Sequence, residues 1–343
     1  MKGKHHYREI IFSILFWVFV TNYFLLLRYI GVKDEGEIIL SWNIFIDSTV
    51  GGVLFGVVFG FFESSNFLKI HIRKSFGFLV LIKTIIYTFF FLLLTFSIVL
   101  IDESLETAID FIYSEDNLVL QLHLAFFSLL FHFIRQMSKK FGPDVFLEYI
   151  TGKYFHPIEE ERIFMFLDLK SSTTIAENIG HIAYSKLIQD CFALLTEPLI
   201  KHQAQVYQYV GDEIVITWKT KDGLTNLNCV KFFFAFIQKL KDKKEYFIKS
   251  NGVFLEFKAG MDMGLVTVAE VGEIKSEIAY HGDTLNTASR IQGLCNDFKE
   301  QFLTSESIIN CLDNKNGYKT QFIDNLYLKG KENKVKVFNI ISH

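Results

Sequence analysis

The chain has 343 residues, a net charge of -3, 50% hydrophobic residues with 38 Phe and only 3 Pro, and a mean hydropathy of +0.26. That composition is too apolar for an ordinary pair of soluble domains, and the slightly acidic balance excludes a nucleic-acid partner, which would call for a basic face. The four cysteines, Cys191, Cys229, Cys295 and Cys311, follow no zinc or disulfide spacing and are expected to be reduced thiols facing a cytoplasm.

Hydropathy divides the chain near Ile134. Before that point lie four apolar segments, Ile10 to Leu27, Ile38 to Phe62, Phe76 to Ile101 and Leu118 to Ile134, each near the ~20 residues needed to cross a bilayer core. A cleavable signal peptide does not explain the first, which lacks a small-residue cleavage site and is followed by three more. Residues 1-137 are thus predicted to be a four-helix membrane domain embedded in a lipid bilayer. Lys2, Lys4 and Arg8 precede the first segment, Lys69, Arg73 and Lys74 separate the second and third, and Arg135, Lys139 and Lys140 follow the fourth. These are the inside positions, and both termini are expected in the cytoplasm. The stretch after the third segment carries Asp102, Glu103, Glu106, Asp110, Glu115 and Asp116 without a Lys or Arg and reads as an outside loop. At roughly ten and sixteen residues, the outside loops are too short for a folded sensor.

Within the second segment, Gly52, Gly56 and Gly60 recur every fourth residue beside Gly51, a spacing that lets another helix backbone approach closely. Asp47, Lys83, His123 and His132 are ionisable groups in or near apolar segments. Asp47 is placed at the outer interface, Lys83 is expected to snorkel to the inner one, and His132 lies near a helix end. His123 and His132 read as hydrogen-bonded packing residues rather than as ligands of a haem or metal.

From Gly142 the pattern becomes that of a soluble α/β domain. Pro143 suits a first helical position, and Val145, Phe146, Tyr149 and Ile150 share one face, so a short amphipathic helix leads out of the membrane domain. Gly152 and Pro157 end it, and Glu159, Glu160 and Glu161 read as a solvated approach to a strand. That strand, Arg162 to Leu169, ends at Asp168 and opens into Lys170, Ser171, Ser172 and Thr173 before a helical pattern through His202. A carboxylate at a strand end beside a helix N-terminus can hold a cation and an anion together, although a hydroxyl there also serves as a plain N-cap. Ala204 to Tyr209 and Ile214 to Trp218 form the next two strands around the tip Gly211-Asp212-Glu213. Turn chemistry alone accounts for Gly-Asp at such a tip. Pairing this hairpin beside the first strand, however, brings Asp212 toward Asp168, and two carboxylates without a cationic neighbour in sequence repel unless a hard divalent ion joins them.

FMFLDLKSST, YQYVGDEIVITW, AGMDMGLVTVAEVG and HGDTLNTASRIQ, in this order, resemble the motifs of the class III adenylate/guanylate cyclase catalytic domain. The likeness runs from about Arg162 to Ile341, and the preceding helix resembles that family's transducer segment. It implies an α+β ferredoxin-like βαββαβ domain at 161-343, a linker and transducer helix at 138-160, and a homodimer with each active site shared by two copies. Asp168, Asp212 and the backbone carbonyl of Leu169 match the ligands of two Mg²⁺ or Mn²⁺ ions, and Ser171, Ser172 and Thr173 the segment cradling the triphosphate. From the opposite copy, Asn286 matches the ribose-orienting residue and Arg290 the one stabilising charge on the α-phosphoryl group. Lys329 matches the triphosphate-binding lysine, with Lys331 as second candidate. Asn286 and Arg290 are i,i+4 and share a helix face. Glu213 is expected on the other side of its strand from Asp212 and receives no role.

Two base-reading positions depart from the pattern. Gln208 stands where adenylate cyclases usually carry Lys, and Ala279 where Asp or Thr is usual. Glutamine both donates and accepts, whereas alanine reads nothing by hydrogen bonding. The expected activity is conversion of ATP to 3′,5′-cyclic AMP, with a guanylate cyclase or a catalytically silent nucleotide-binding membrane module as alternatives. A diguanylate cyclase, suggested by the Gly-Asp-Glu tip, lacks that family's paired glycines and has no place for the Asn286/Arg290 helix.

Overall fold

Four long helices take up the apolar part of the chain. The computed structural model describes residues 2-31, 42-64, 75-312 and 317-342, which divide into two units, Met1-Leu147 and Glu148-His343. Ile38 and the basic residues Lys69, Arg73 and Lys74 lie outside the described residues.

The first unit comprises α1 (Lys2-Gly31), α2 (Trp42-Ser64), α3 (Phe76-Asp102), α4 (Leu105-Tyr113) and α5 (Glu115-Phe141), followed by α6 (Pro143-Ile150), which runs across the division. Tyr7-Ile30, Trp42-Glu63, Phe76-Ile101 and Glu115-Phe141 are long and apolar enough to cross a membrane. The glycine ladder does what its spacing predicts. A Cβ on Gly52 would sit 2.6 Å from Val18 Cα, one on Gly56 2.3 Å from Ile14 Cα, and one on Gly60 3.0 Å from Ile10 Cα, so α1 and α2 meet backbone to backbone. Trp17 fills the centre, with ring centroids 4.9 Å from Phe91, 5.5 Å from Phe59 and 5.9 Å from Phe131.

Three expectations for this unit are corrected. The acidic stretch read as an outside loop contains α4. Its Ser104 hydroxyl accepts from the Thr107 N-H at 3.2 Å, and Leu105, Ala108, Ile109 and Ile112 fall on one face at helical spacing. Lys83 does not snorkel: it is buried and ion-paired with Glu63. His132 is fully buried but not hydrogen-bonded as expected: among the described residues neither ring nitrogen has a hydrogen-bond partner, and Nδ1 stands 3.6 Å from the same carboxylate. Glu63, which sequence patterning did not single out, is thus the hub of a charge cluster between α2, α3 and α5, and Lys139 Nζ stands 3.9 Å from its other oxygen. Arg135 pairs with Glu9 at 2.8 Å, tying α5 to α1. His123 Nε2 lies 3.2 Å from the Val20 carbonyl, the hydrogen-bonded packing role expected of it.

In the second unit the order is β1 (Ile158-Leu169), α7 (Ser172-Ile179), α8 (His181-Ala193), α9 (Thr196-Lys201), β2 (Gln205-Val210), β3 (Glu213-Lys219), α10 (Thr220-Leu224), α11 (Asn228-Asp242), α12 (Lys244-Asn251), β4 (Phe257-Val271), β5 (Glu277-His281), α13 (Asp283-Gly293), α14 (Cys295-Phe298), β6 (Phe302-Ser305), α15 (Glu306-Cys311), β7 (Tyr318-Leu326) and β8 (Val335-Ser342). One sheet runs β2-β3-β1-β4-β6-β8-β7, with β5 paired to β4. Its first four strands are the βαββαβ core expected from the sequence. β6 lies parallel to β4, a pairing that requires the crossover supplied by α13.

Alternation along β1 sends Ile163, Met165 and Leu167 into a core with Phe232, Phe233 and Phe236 of α11. Phe164 faces the opposite side, with Val266, Val268 and Ala288 of α13. Asp168, two residues beyond Phe166, therefore belongs to the α13 face. β1 begins at Ile158, so the glutamate run is part of the strand and not merely a solvated approach. Glu160 accepts from Lys153 at 2.7 Å, from the Tyr154 hydroxyl at 3.0 Å and from Arg162 Nε at 2.8 Å. The buried Arg162 guanidinium lies 4.9 Å from the Tyr280 ring centre. Burial works to raise the Glu160 pKa, but the hydrogen bonds and charges of Lys153 and Arg162 outweigh it and draw the carboxyl down to about 2.

Candidate active site

The site grows from the junction of β1 with the β2-β3 hairpin. Leu167 pairs with Ile214 across the antiparallel β1-β3 ladder, so Asp168, one residue on, and Asp212, two residues before Ile214, emerge at the same end. Gly211 at the tip has φ +64, a left-handed conformation that glycine adopts without steric cost. The Asp168 carboxyl has a raised pKa. Burial is the first cause, Lys258 and Gln292 pull against it, and the nearby Asp212 charge reinforces it. A partly buried carboxylate whose charge is disfavoured by burial and by a second carboxylate beside it is what a hard divalent cation relieves, so these residues fit such an ion. Among the described residues no group of three or more His, Cys, Asp or Glu is gathered for a metal, and the two aspartates are the acidic groups on which the site rests.

Glu213 is placed differently from the sequence reading. It shares the strand face of Val215, which packs with Phe164 in the α13-side core, and so stands on Asp168's face. Its pKa is raised by burial first and by Asp168 and Asp212 next. Beyond Leu169 the chain turns through Ser171, whose φ of 59 and ψ of 30 are left-handed, and opens into the N-terminus of α7. The first-turn N-H groups there have no partner within the helix. Ser171 and Thr173 are exposed and Ser172 is half-buried. Ser172 hydrogen-bonds Tyr184 of α8, whose hydroxyl pKa is raised by burial and by the charges of Asp212 and Asp168.

Sequence reasoning missed two further groups. Lys258, opposite Asp168 in the β1-β4 register, places Nζ 3.2 Å from Asp168 Oδ2. Gln292 of α13 donates to the same oxygen at 3.1 Å. A lysine at the start of a strand reads as solvated, yet alternation aligns Lys258 with Gly260 and Asp262 on the α13 face; this period was the available signal. Gln292 carried no comparable signal, because only the packing of α13 across β4 brings it to β1.

Asn286, exposed, and Arg290, half-buried, project from α13 but make no hydrogen bond or ion pair with either aspartate among the described residues of the one chain. Arg290 instead lies beside Gly330, its Nη2 3.5 Å from where a Cβ would stand. Lys329 is exposed, whereas Lys331 is ion-paired with Asp283 at the start of α13. Gln208 is exposed just past the β2 irregularity between Val206 and Gln208, and Ala279 is buried on β5 opposite Ala269. The strand register thus brings Asp168 and Asp212 to one end beside the Ser172 turn, and among the described residues no hydrogen bond or ion pair joins Asn286, Arg290 or Lys329 to either aspartate.

Residues 157-342 match the model of the adenylate and guanylate cyclase catalytic domain. Adenylate cyclase 2 of Rhizobium meliloti (strain 1021) is 30% identical over 208 residues, covering 61% of this chain and 57% of that protein. The adenylate cyclase of Anabaena cylindrica is 23% identical over 215 residues, 59% of this chain and 42% of the relative. The chain thus spans less than two thirds of the length of either. The structure of a bacterial light-regulated adenylyl cyclase has the same fold, with a TM-score of 0.56, 17% identity and coverage of 66% of this chain and 65% of that one. With the family model covering more than half of its residues over the same sheet and motifs, the chain belongs to the adenylate and guanylate cyclase catalytic domain family.

Proposed function

We propose that this protein is a membrane-anchored, homodimeric nucleotide cyclase that converts ATP to 3′,5′-cyclic AMP and pyrophosphate. One observation carries the proposal: two neighbouring aspartates sit beside an open helix N-terminus, while among the described residues the half-buried Arg290 and exposed Asn286 of the same chain make no hydrogen bond or ion pair with them. A second copy, facing the first across a two-fold axis, would supply the missing polar and cationic groups.

In this reading Asp168, Asp212 and the Leu169 carbonyl hold two Mg²⁺ or Mn²⁺ ions, which when bound supply Lewis acidity toward the 3′-hydroxyl and neutralise the phosphates. The backbone after Asp168, with Ser171, Ser172 and Thr173, cradles the β- and γ-phosphates at the α7 N-terminus. Lys329 of the second copy adds a positive charge there, and Lys258, released from Asp168, can add another. Asn286 of the second copy orients the ribose so that its 3′-oxygen faces the α-phosphorus. The 3′-oxygen forms a bond to that phosphorus, the bond to the bridging oxygen of the β-phosphate breaks, the hydroxyl proton leaves to solvent, and pyrophosphate departs. Arg290 meets the charge that grows on the α-phosphoryl oxygens, so the protein acts by positioning and electrostatics.

ATP is favoured by the adenylate cyclases among the relatives. The buried methyl of Ala279 cannot read a base, which favours as second reading a module that binds nucleotide without turning it over. The four apolar helices anchor the enzyme with both termini in the cytoplasm, and residues 138-160 form the segment joining membrane and catalytic domains. Purified full-length protein given ATP or GTP with Mg²⁺ or Mn²⁺ is expected to yield 3′,5′-cyclic AMP from ATP, and an Asp168→Ala chain none. Cyclic GMP alone would reassign the base, and nucleotide binding without product would establish the silent module.

A further inference from the structure

We propose that Gln292 is a positioning residue for Asp168, fixing one carboxylate oxygen so that the other is presented to the cation; this rests on the proposed two-aspartate site. Both donors that reach Asp168, Gln292 Nε2 at 3.1 Å and Lys258 Nζ at 3.2 Å, converge on Oδ2. Among the described residues Oδ1 receives no hydrogen bond or ion pair. An ionised carboxylate only accepts, so the amide nitrogen is the Gln292 atom that must face it.

The two donors are not equivalent. Lys258 brings a full positive charge on a flexible stem, and an incoming divalent ion repels it. Gln292 brings no charge. It is buried at 6% exposure, and its backbone is pressed onto β4, where a Cβ on Gly260 would stand 2.1 Å from Gln292 N and 2.5 Å from its Cα. The neutral, immobilised amide is therefore the donor that can keep its hold on Oδ2 when a cation is present, since each carboxylate oxygen has a second lone pair to offer.

Placement on α13 adds a consequence. The helix that carries Arg290 holds its own chain's Asp168 two residues later, through Gln292. In a two-fold dimer the cation site of one active centre and the arginine of the other then share a single rigid support. A helix seated on Gly260 and Gly264, the latter with Thr284 Oγ1 2.7 Å from a would-be Cβ, can serve both.

The test is Mn²⁺ binding to the full-length chain, read from the paramagnetic resonance signal of free Mn²⁺, for wild type, Asp168→Asn and Gln292→Met. The near-isosteric Gln292→Met keeps the packing and removes the donor. It is expected to weaken Mn²⁺ binding by about ten- to a hundredfold, the usual effect of losing an outer hydrogen bond to a metal ligand. The KM for ATP at saturating Mn²⁺ should stay within about twofold, a separation that a general loosening of the fold would not give. Should Gln292→Met fail to fold, Gln292→Asn keeps an amide but withdraws it by one methylene, and the same weakening is expected. Wild-type Mn²⁺ affinity in a folded Gln292 variant, with Asp168→Asn impaired, overturns this role alone. Equal Mn²⁺ binding by wild type and Asp168→Asn overturns the two-aspartate site, and this role with it.

Discussion

Gly260→Ala probes the placement of α13. A Cβ on this β4 residue would stand 2.1 Å from Gln292 N and 2.5 Å from both Ala288 O and Gln292 Cα, all backbone atoms of α13. No side chain can swing away to make room, so the helix must retreat by about 1.3 Å to reach ordinary contact at 3.4 Å. That movement carries Asn286, Arg290 and Gln292 together. A displacement near 1 Å of positioning groups costs about a hundredfold in rate, and overpacking of this kind about 1-3 kcal/mol in stability. The expected result is a folded protein with a lowered thermal midpoint and a cyclisation rate reduced by about a hundredfold, measured below that midpoint. Gly293→Ala is the control: it ends the same helix, a Cβ there meets nothing within 4 Å, and activity should be unchanged. A Gly260→Ala enzyme within about threefold of wild type would refute the claim that helix position sets the rate.

Two further predictions concern charge. Glu160, with a carboxyl drawn down to about 2 in the fold, stabilises the protein fully above its ordinary value of 4.5 and loses that contribution as pH falls from there toward 2. Glu160→Gln should therefore lower stability at pH 7 by on the order of 3 kcal/mol, with the gap to wild type closing toward pH 2 in denaturation curves; a gap independent of pH would contradict the pairing. In the membrane unit, Glu63→Ala strands the buried Lys83 and should cost about 3-5 kcal/mol, whereas Glu63→Ala with Lys83→Met removes both charges and should recover most of it. Thermal midpoints in detergent decide this, and equal losses in the single and double variants would mean that the stranded Lys83 charge is not the source of the cost.

Much of this architecture was legible in the residues because it is written in periodicity. Apolar runs near bilayer length gave four long helices, glycines every fourth residue announced a close backbone contact whose partner is α1, and alternation marked β1 as a buried strand. Asp168 and Asp212 could be placed at one end of neighbouring strands because turn chemistry fixed the hairpin tip. What escaped was polar pairing across the fold. Glu63 with Lys83, Arg162 with Glu160, and Gln292 with Asp168 join residues 20, 2 and 124 positions apart, and a charged or amide side chain leaves no period to show whether it meets water or a partner. The short helix α4 escaped for a related reason, since its acidic residues masked a single apolar face only nine residues long. Glu213 was misplaced because neighbours at a hairpin tip were assumed to follow strand alternation from Asp212, which lies in the turn and not in β3.

The most direct measurement mixes two inactive chains. Asp212→Ala lacks a cation ligand and Arg290→Ala lacks the charge-stabilising arginine, and each should be silent alone as a homodimer. Coexpressed in equal amounts, they form mixed dimers in about half the assemblies, each with one doubly impaired centre and one intact, so about a quarter of wild-type activity should return. Mixed dimers verified by differential tags that make no cyclic nucleotide would contradict an active centre shared between two copies.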